Sequence, residues 1–140
     1  MGRGFFLRET ATFERYGLDL SSETIELARR VCPEALRARH ILLLGTSRDT
    51  LPSLLADVDH VDIFFHDSDH SYANMTWEFE TAWPKVGPDG LLVSDDVLAN
   101  TAFFDFCRKA SLNCLTVFNL GVGRRSGCQP AMRTARWAQP

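Results

Sequence analysis

Apolar and polar positions come in alternating blocks along this chain, and the blocks predict helices and strands in turn from end to end. Residues 5–13 read as a helix, and Tyr16-Gly17-Leu18-Asp19-Leu20 reads as a short strand ending in an acid. Ser21 or Ser22 then offers an N-cap oxygen to the unpaired amides of a second helix, and Glu23 sits where the helix dipole favours an anion. Ile25, Leu27, Ala28 and Val31 give that helix its apolar side, and Pro33, which cannot continue it, ends it.

His40-Ile41-Leu42-Leu43-Leu44 is an unbroken apolar run closed by Gly45, as expected of a strand covered on both faces. Leu51, Leu54 and Leu55 mark a short helix beginning near Asp49. Val61-Asp62-Ile63-Phe64-Phe65 is a second buried strand, running into His66-Asp67-Ser68-Asp69-His70. A helix over 72–83 places Tyr72, Thr76, Phe79 and Trp83 on one face. Lys85-Val86-Gly87-Pro88-Asp89-Gly90 is a turn by composition. Leu91-Leu92-Val93-Ser94 is a third buried strand, ending at Asp95-Asp96. Residues 102–110 read as helix and 115–118 as a late strand, while 120–124 leave a further strand open. This alternation predicts an α/β fold, a parallel sheet with helices on both faces. Ligands bind such sheets at the carboxyl ends of the strands, and every polar cluster above falls at such an end.

Composition narrows the class. A chain of 140 residues, 45% hydrophobic, is one soluble domain able to bury a core without metals or disulfides. A net charge of −3 gives no electrostatic case for nucleic acid. Arg124, Arg125, Arg133 and Arg136 cluster among Gly127, Pro130 and Pro140, so residues 124–140 read as a disordered basic tail behind a domain of residues 1–123. Cys32, Cys107, Cys114 and Cys128 form no C-x-x-C pair, which argues against zinc and for reduced thiols in a cytoplasm. No signal peptide or membrane span is expected, and a homo-oligomer is left open.

Three constellations carry candidate chemistry. Gly2-x-Gly4 permits close backbone approach to a ligand, and Asp19 at a strand end suits the two hydroxyls of a ribose or else caps the next helix. Gly45-Thr46-Ser47-Arg48-Asp49 offers small hydroxyls to an adenine edge, or simple helix capping by Ser47 or Asp49. The third joins His66-Asp67-Ser68-Asp69-His70 with Asp95-Asp96. Carboxylates gathered at neighbouring strand ends repel one another unless a cation or a proton intervenes, and hard oxygen ligands suit Mg²⁺, Mn²⁺ or Ca²⁺. The alternative is that Asp67 and Asp95 only cap loops. His70 is a candidate general base, its ordinary pKa lying near neutrality, whereas His66 reads as an ordinary strand-end residue.

In this order the constellations resemble class I S-adenosylmethionine-dependent methyltransferases, nearest the metal-dependent O-methyltransferase branch (catechol, caffeoyl-CoA and macrocin-type). The resemblance covers roughly residues 2–118. The segment from Asp62 to Tyr72 is similar to the family's "D-x-x-F-x-D-x-D-(H/K)-x-x-Y", and that from Asp89 to Asp96 to its "G-G-x-x-x-x-D-(N/D)". The resemblance implies a Rossmann-like sheet and transfer of a methyl group from S-adenosylmethionine to a small-molecule hydroxyl. It implies Gly2, Gly4, Asp19, Ser47 and Asp67 at the cofactor, with Asp19 on the ribose and Ser47 near the adenine. It makes Asp67, Asp95 and Asp96 ligands of a divalent cation, Mg or Mn, and His70 the base.

The family's first strand, leading acid and first glycine have no counterpart ahead of Gly2-x-Gly4, so the sheet is expected to lack that strand and expose the two edges beside it. Two other readings compete. One is an inactive methyltransferase-like protein that folds only with a partner. The other is a metal-dependent hydrolase, which leaves Asp19 and Gly2-x-Gly4 without a role.

Overall fold

Strands and helices follow the predicted alternation in the computed structural model, which describes residues 4–8, 14–19 and 21–126. In chain order the strands are β1 (Gly4–Arg8), β2 (Glu14–Asp19), β3 (His40–Leu44), β4 (Val61–His66), β5 (Val86–Ser94), β6 (Leu112–Val117) and β7 (Leu120–Arg125). The helices are α1 (Ser22–Val31), α2 (Glu34–Arg37), α3 (Ser47–Asp57), α4 (Tyr72–Ala82) and α5 (Ala102–Lys109). One seven-stranded sheet has the order β3-β2-β1-β4-β5-β7-β6. β2 is parallel to β3 and β4 to β5. β3, expected to be covered on both faces, is instead an edge strand with Ile41 and Leu44 exposed, because among the described residues β2 pairs with it on one side alone.

The start of the chain departs from expectation. Residues 5–8, read as part of a helix, belong to β1; residues 9–13 lie outside the described residues. β1 pairs antiparallel with β2, Gly4 opposite Leu18, and antiparallel with β4, Phe5 opposite Phe65. The edges expected to stand open on β2 and β4 are therefore paired. Among the described residues the slot between β2 and β4 is held by β1, antiparallel to both. The reason is geometric. Two flanking strands offer two rows of unmatched backbone groups, and an extended Gly-Phe-Phe-Leu-Arg segment satisfies both, as a helix cannot. Residues 9–13 are too few for the crossover that a parallel neighbour needs, and β1 and β2 are antiparallel.

The turn expected at 85–90 is a 3₁₀ turn over Trp83–Lys85 followed by a kink inside β5. The β4–β5 register slips between the pair Val61/Val86 and the pair Ile63/Leu91, so Gly87-Pro88-Asp89-Gly90 bulge out of the ladder without ending the strand. The far end also gains order. Arg124 and Arg125, assigned to the tail from sequence, close β7. Arg125 lies 4.3 Å from the Trp83 ring centre and donates to the Trp83 and Val86 carbonyls, while Arg124 meets Asp89 at 3.3 Å. Arg133 and Arg136 lie outside the described residues.

The core sits on one face of the sheet, under α3, α4 and α5. Leu51, Phe64, Met75, Phe79, Leu92 and Phe103 are its most buried large side chains. α4 turns Met75, Phe79 and Ala82 inward at helical spacing, so Tyr72 of the expected face is half exposed instead. Gly121 lets α5 approach β7, since a Cβ there would stand 2.6 Å from the Phe103 ring. On the other face α1 covers β2 and β3 and leaves an apolar cavity of about 360 Å³ beside Ile25, Ala28, Val31, Leu36 and Leu42. Among the described residues no helix is long and apolar enough to cross a membrane.

Candidate active site

Parallel strands bring their carboxyl ends to one side, and the antiparallel ones add their opposite ends to it. Asp19 ends β2, Gly45 follows β3, His66 ends β4 and Ser94 ends β5. Gly4 arrives beside Leu18 at the start of β1, and the β6–β7 tip, Phe118-Asn119, arrives beside the end of β5. Gly2 lies outside the described residues. Gly4 thus reaches the expected end of the sheet, but it opens a strand and not a helix.

At the β2–β3 half, Asp19 is half-buried and accepts the Ser21 amide through Oδ1 at 2.8 Å, while Ser21 caps α1 by accepting from the Thr24 amide. The Asp19 carbonyl accepts from the Gly45 amide at 3.0 Å, locking the two strand ends together. The cap of α1 is thus Ser21 and not Asp19, and the Ser21 amide occupies only one of the Asp19 carboxylate oxygens. α3 is capped by Thr46, whose Oγ1 accepts from the Asp49 amide and donates to Asp49 Oδ2 at 2.6 Å, and not by Ser47 or Asp49. Ser47 turns its hydroxyl towards Glu78 of α4.

The β4–β5 half is built around a buried polar group that pattern reading missed. His66 is fully buried, and its Nδ1 lies 2.7 Å from Glu78 Oε2. Ser68 donates to Glu78 Oε1 at 2.6 Å, and Asn74 Nδ2 donates to the same oxygen at 3.0 Å. Burial pushes the Glu78 carboxyl up, but the hydrogen bonds of His66, Ser47 and Ser68 and the attraction of His66 outweigh it, leaving Glu78 below the ordinary glutamate range. The missed signal was available: Asn74 and Glu78, four apart, interrupt the apolar face of α4 beside Met75 and Phe79.

His70 follows in the loop that leads to Ser71, the cap of α4. Asp69 accepts from the Ser71 amide and hydroxyl, and these two bonds hold its carboxyl below the usual range. The His70 ring stands edge-on to His66 with centres 5.3 Å apart, and its Nε2 is 3.7 Å from Asp96 Oδ2. Among the described residues the buried Nε2 atoms of His66 and His70 have no hydrogen-bond partner, so each is a polar atom awaiting one at this end of the sheet.

Asp95 continues the strand pairing, its amide donating to the His66 carbonyl at 2.9 Å. Asp96 adopts φ +49° and Phe118 φ +54°, a region costly for residues other than glycine, at about 1–3 kcal/mol each. Asp67, Asp95 and Asp96 do sit at the ends of neighbouring strands. The structure does not draw them into one centre: among the described residues no three His, Cys, Asp or Glu side chains are arranged to hold a metal ion.

A family model described as a methyltransferase domain matches residues 4–97. No curated protein matches the chain. Among solved structures it is similar to MycE methyltransferase from the mycinamycin biosynthetic pathway, in complex with Mg, SAH and mycinamycin VI. The TM-score is 0.61 at 17% identity, over 83% of this chain and 38% of MycE. It is also similar to the SAH-bound Podospora anserina methyltransferase PaMTH1, with a TM-score of 0.54 at 18% identity, over 77% of this chain and 58% of that one. The chain therefore spans well under half the length of MycE, and the likeness is one of fold.

Proposed function

The chain belongs to the methyltransferase-domain family, and from that premise we propose that it moves a methyl group from S-adenosylmethionine to the hydroxyl of a small molecule. The observation that carries this reading is the meeting of His70 and Asp96 at the carboxyl ends of β4 and β5, with Asp19 at the end of β2 beside Gly4. The unpartnered Nε2 atoms of His66 and His70 fit a polar ligand at this end.

S-adenosylmethionine supplies an electrophilic methyl on a sulfonium sulfur. In our reading Asp19 holds the ribose hydroxyls with the carboxylate oxygen that Ser21 does not use, and Gly2 and Gly4 let the backbone come close. Ser47, its hydroxyl turned to Glu78, offers the backbone at the start of α3 to the adenine. His70 takes the acceptor proton at Nε2, and Asp96 stabilises the imidazolium that forms. Such proton removal is worth roughly 10²–10⁴-fold. Holding acceptor oxygen and methyl in line supplies much of the rest.

The expectation of a divalent cation on Asp67, Asp95 and Asp96 meets a donor set that does not assemble three ligands, so the residues as folded do not fit a metal centre and no step is assigned to a cation. Calorimetric titration with S-adenosylhomocysteine tests the cofactor. Mass spectrometry of phenols and sugars incubated with chain and S-adenosylmethionine tests the transfer, read as one added methyl on oxygen. A chain that binds no S-adenosylhomocysteine would remove the reading.

A further inference from the structure

Two thiols with no paired spacing in the sequence meet where α5 packs on the β6–β7 hairpin. Cys107 belongs to the last turn of α5 and is 2% exposed, while Cys114 belongs to β6, the outermost strand of the sheet, and is exposed. Both are free thiols. In the β6–β7 ladder Cys114 stands directly opposite Gly123. Residues so paired put their Cβ atoms on one face of the sheet, about 4.5–5.5 Å apart. Cys107 Sγ comes down on that same face, 3.2 Å from where a Cβ on Gly123 would stand. The missing Cβ thus opens the space in which the α5 thiol reaches its neighbour, and the Cys107 and Cys114 side chains hydrogen-bond. Burial, and then the Cys114 thiol beside it, push the Cys107 thiol up to about 12, so at neutral pH it is protonated and does not attack an oxidant itself.

We propose that Cys107 and Cys114 form a redox modification site, a dithiol that hydrogen peroxide converts to a disulfide tying α5 to β6. The exposed Cys114 sulfur attacks the peroxide, takes one oxygen as the O–O bond breaks, and becomes a sulfenic acid with loss of one water. The Cys107 sulfur then attacks the Cys114 sulfur. The S–S bond forms, the S–OH bond breaks, and the hydroxyl leaves with the Cys107 proton as a second water. Two thiols are oxidised and one peroxide is reduced to two waters. The site is separate from the strand-end cluster and does not depend on methyl transfer.

Trypsin distinguishes the possible bridges, because Arg108 and Lys109 lie between the two cysteines and Cys32 and Cys128 fall on other peptides. The full chain is treated with a slight excess of peroxide, unfolded, alkylated and digested without reductant. Peptides 86–108 and 110–124 should appear joined, about 2 Da below the sum of their masses, with Cys32 and Cys128 alkylated. A reductant should separate them. In C107S, Cys114 should hold its sulfenic acid long enough for dimedone to capture it, and in the unaltered chain it should not. In C114S, a change at an exposed position, Cys107 should stay reduced. Cys114 bridged to Cys32, Cys128 or a second chain, or equal dimedone capture with and without Cys107, would overturn the proposal. Oxidation of Cys107 in C114S at the unaltered rate would overturn it as well.

Discussion

The two halves of the strand-end site are built differently. Around β4 and β5 the polar groups are inside the protein: His66 and Ser94 are fully buried and Glu78 is 2% exposed, His66 is tied to Glu78, and the Ser94 hydroxyl donates to the Asp95 carbonyl. Around β2 and β3 the surface is open. Asp19 is half-buried, Leu44 and Val31 are 59% and 68% exposed, and an apolar cavity runs beneath α1. Buried polar groups persist only where partners satisfy them, so the first half is rigid and preformed. The open half has few such constraints, and a ligand can reorganise it at little cost. Under the proposed function, the proton-handling side of the site would be made by folding and the cofactor side completed by what binds.

Substitution can break this comparison at its strongest point. Glu78→Ala leaves His66 buried without its partner and should cost about 3–5 kcal/mol in urea unfolding. The pH dependence has a defined sign. Because the folded Glu78 carboxyl lies below its ordinary value of 4.5, its contribution is complete above that pH and is lost as pH falls through the lower folded value. Glu78→Gln should flatten the acid limb of the stability profile below about pH 4.5. A profile identical to that of the unaltered chain would show that the pair is not a stability element.

His70→Ala comes next. It should lower kcat by about 100-fold and spare S-adenosylhomocysteine affinity, because the loop is held through the His70 backbone and not its ring. Asp19→Ala should do the reverse, weakening S-adenosylhomocysteine about tenfold in calorimetry while leaving kcat at saturating cofactor within a factor of a few. Equal effects of the two changes on both quantities would erase the division between halves. The smallest effect belongs to the open side. Val31→Ser should change unfolding stability by no more than about 0.5 kcal/mol, against about 3–5 kcal/mol for Phe79→Ala in the core. A Val31→Ser cost approaching that of Phe79→Ala would mean that α1 is packed more tightly than its exposure indicates.

Much of this arrangement was readable because it is local. Asp19, His70, Asp95 and Asp96 each stand just beyond an apolar run, and the end of a buried strand is where the chain must turn back towards solvent. Helix starts were readable for the same reason, although the cap of α3 moved from Ser47 or Asp49 to Thr46, because any small hydroxyl in the run could accept the amide. The Glu78–His66 pair was missed since α4 was judged by its apolar positions alone. A polar pair four apart on the buried face is a feature of the sequence, but its meaning depends on what faces it.

What the sequence determined by itself is the alternation of elements, the parallel pairing of β2 with β3 and of β4 with β5, and the collection of polar residues at their carboxyl ends. These follow from periodicity and from the short range of capping and turn chemistry. Only the tertiary structure decided the direction of β1, which depends on an empty slot between β2 and β4 and on a link too short to cross over. It alone placed Asn119 against Asp96, residues 23 apart, because the hairpin tip meets the β5 end only once β7 has entered the sheet beside it. Backbone pattern is written locally, and side-chain partnership is the product of sheet order.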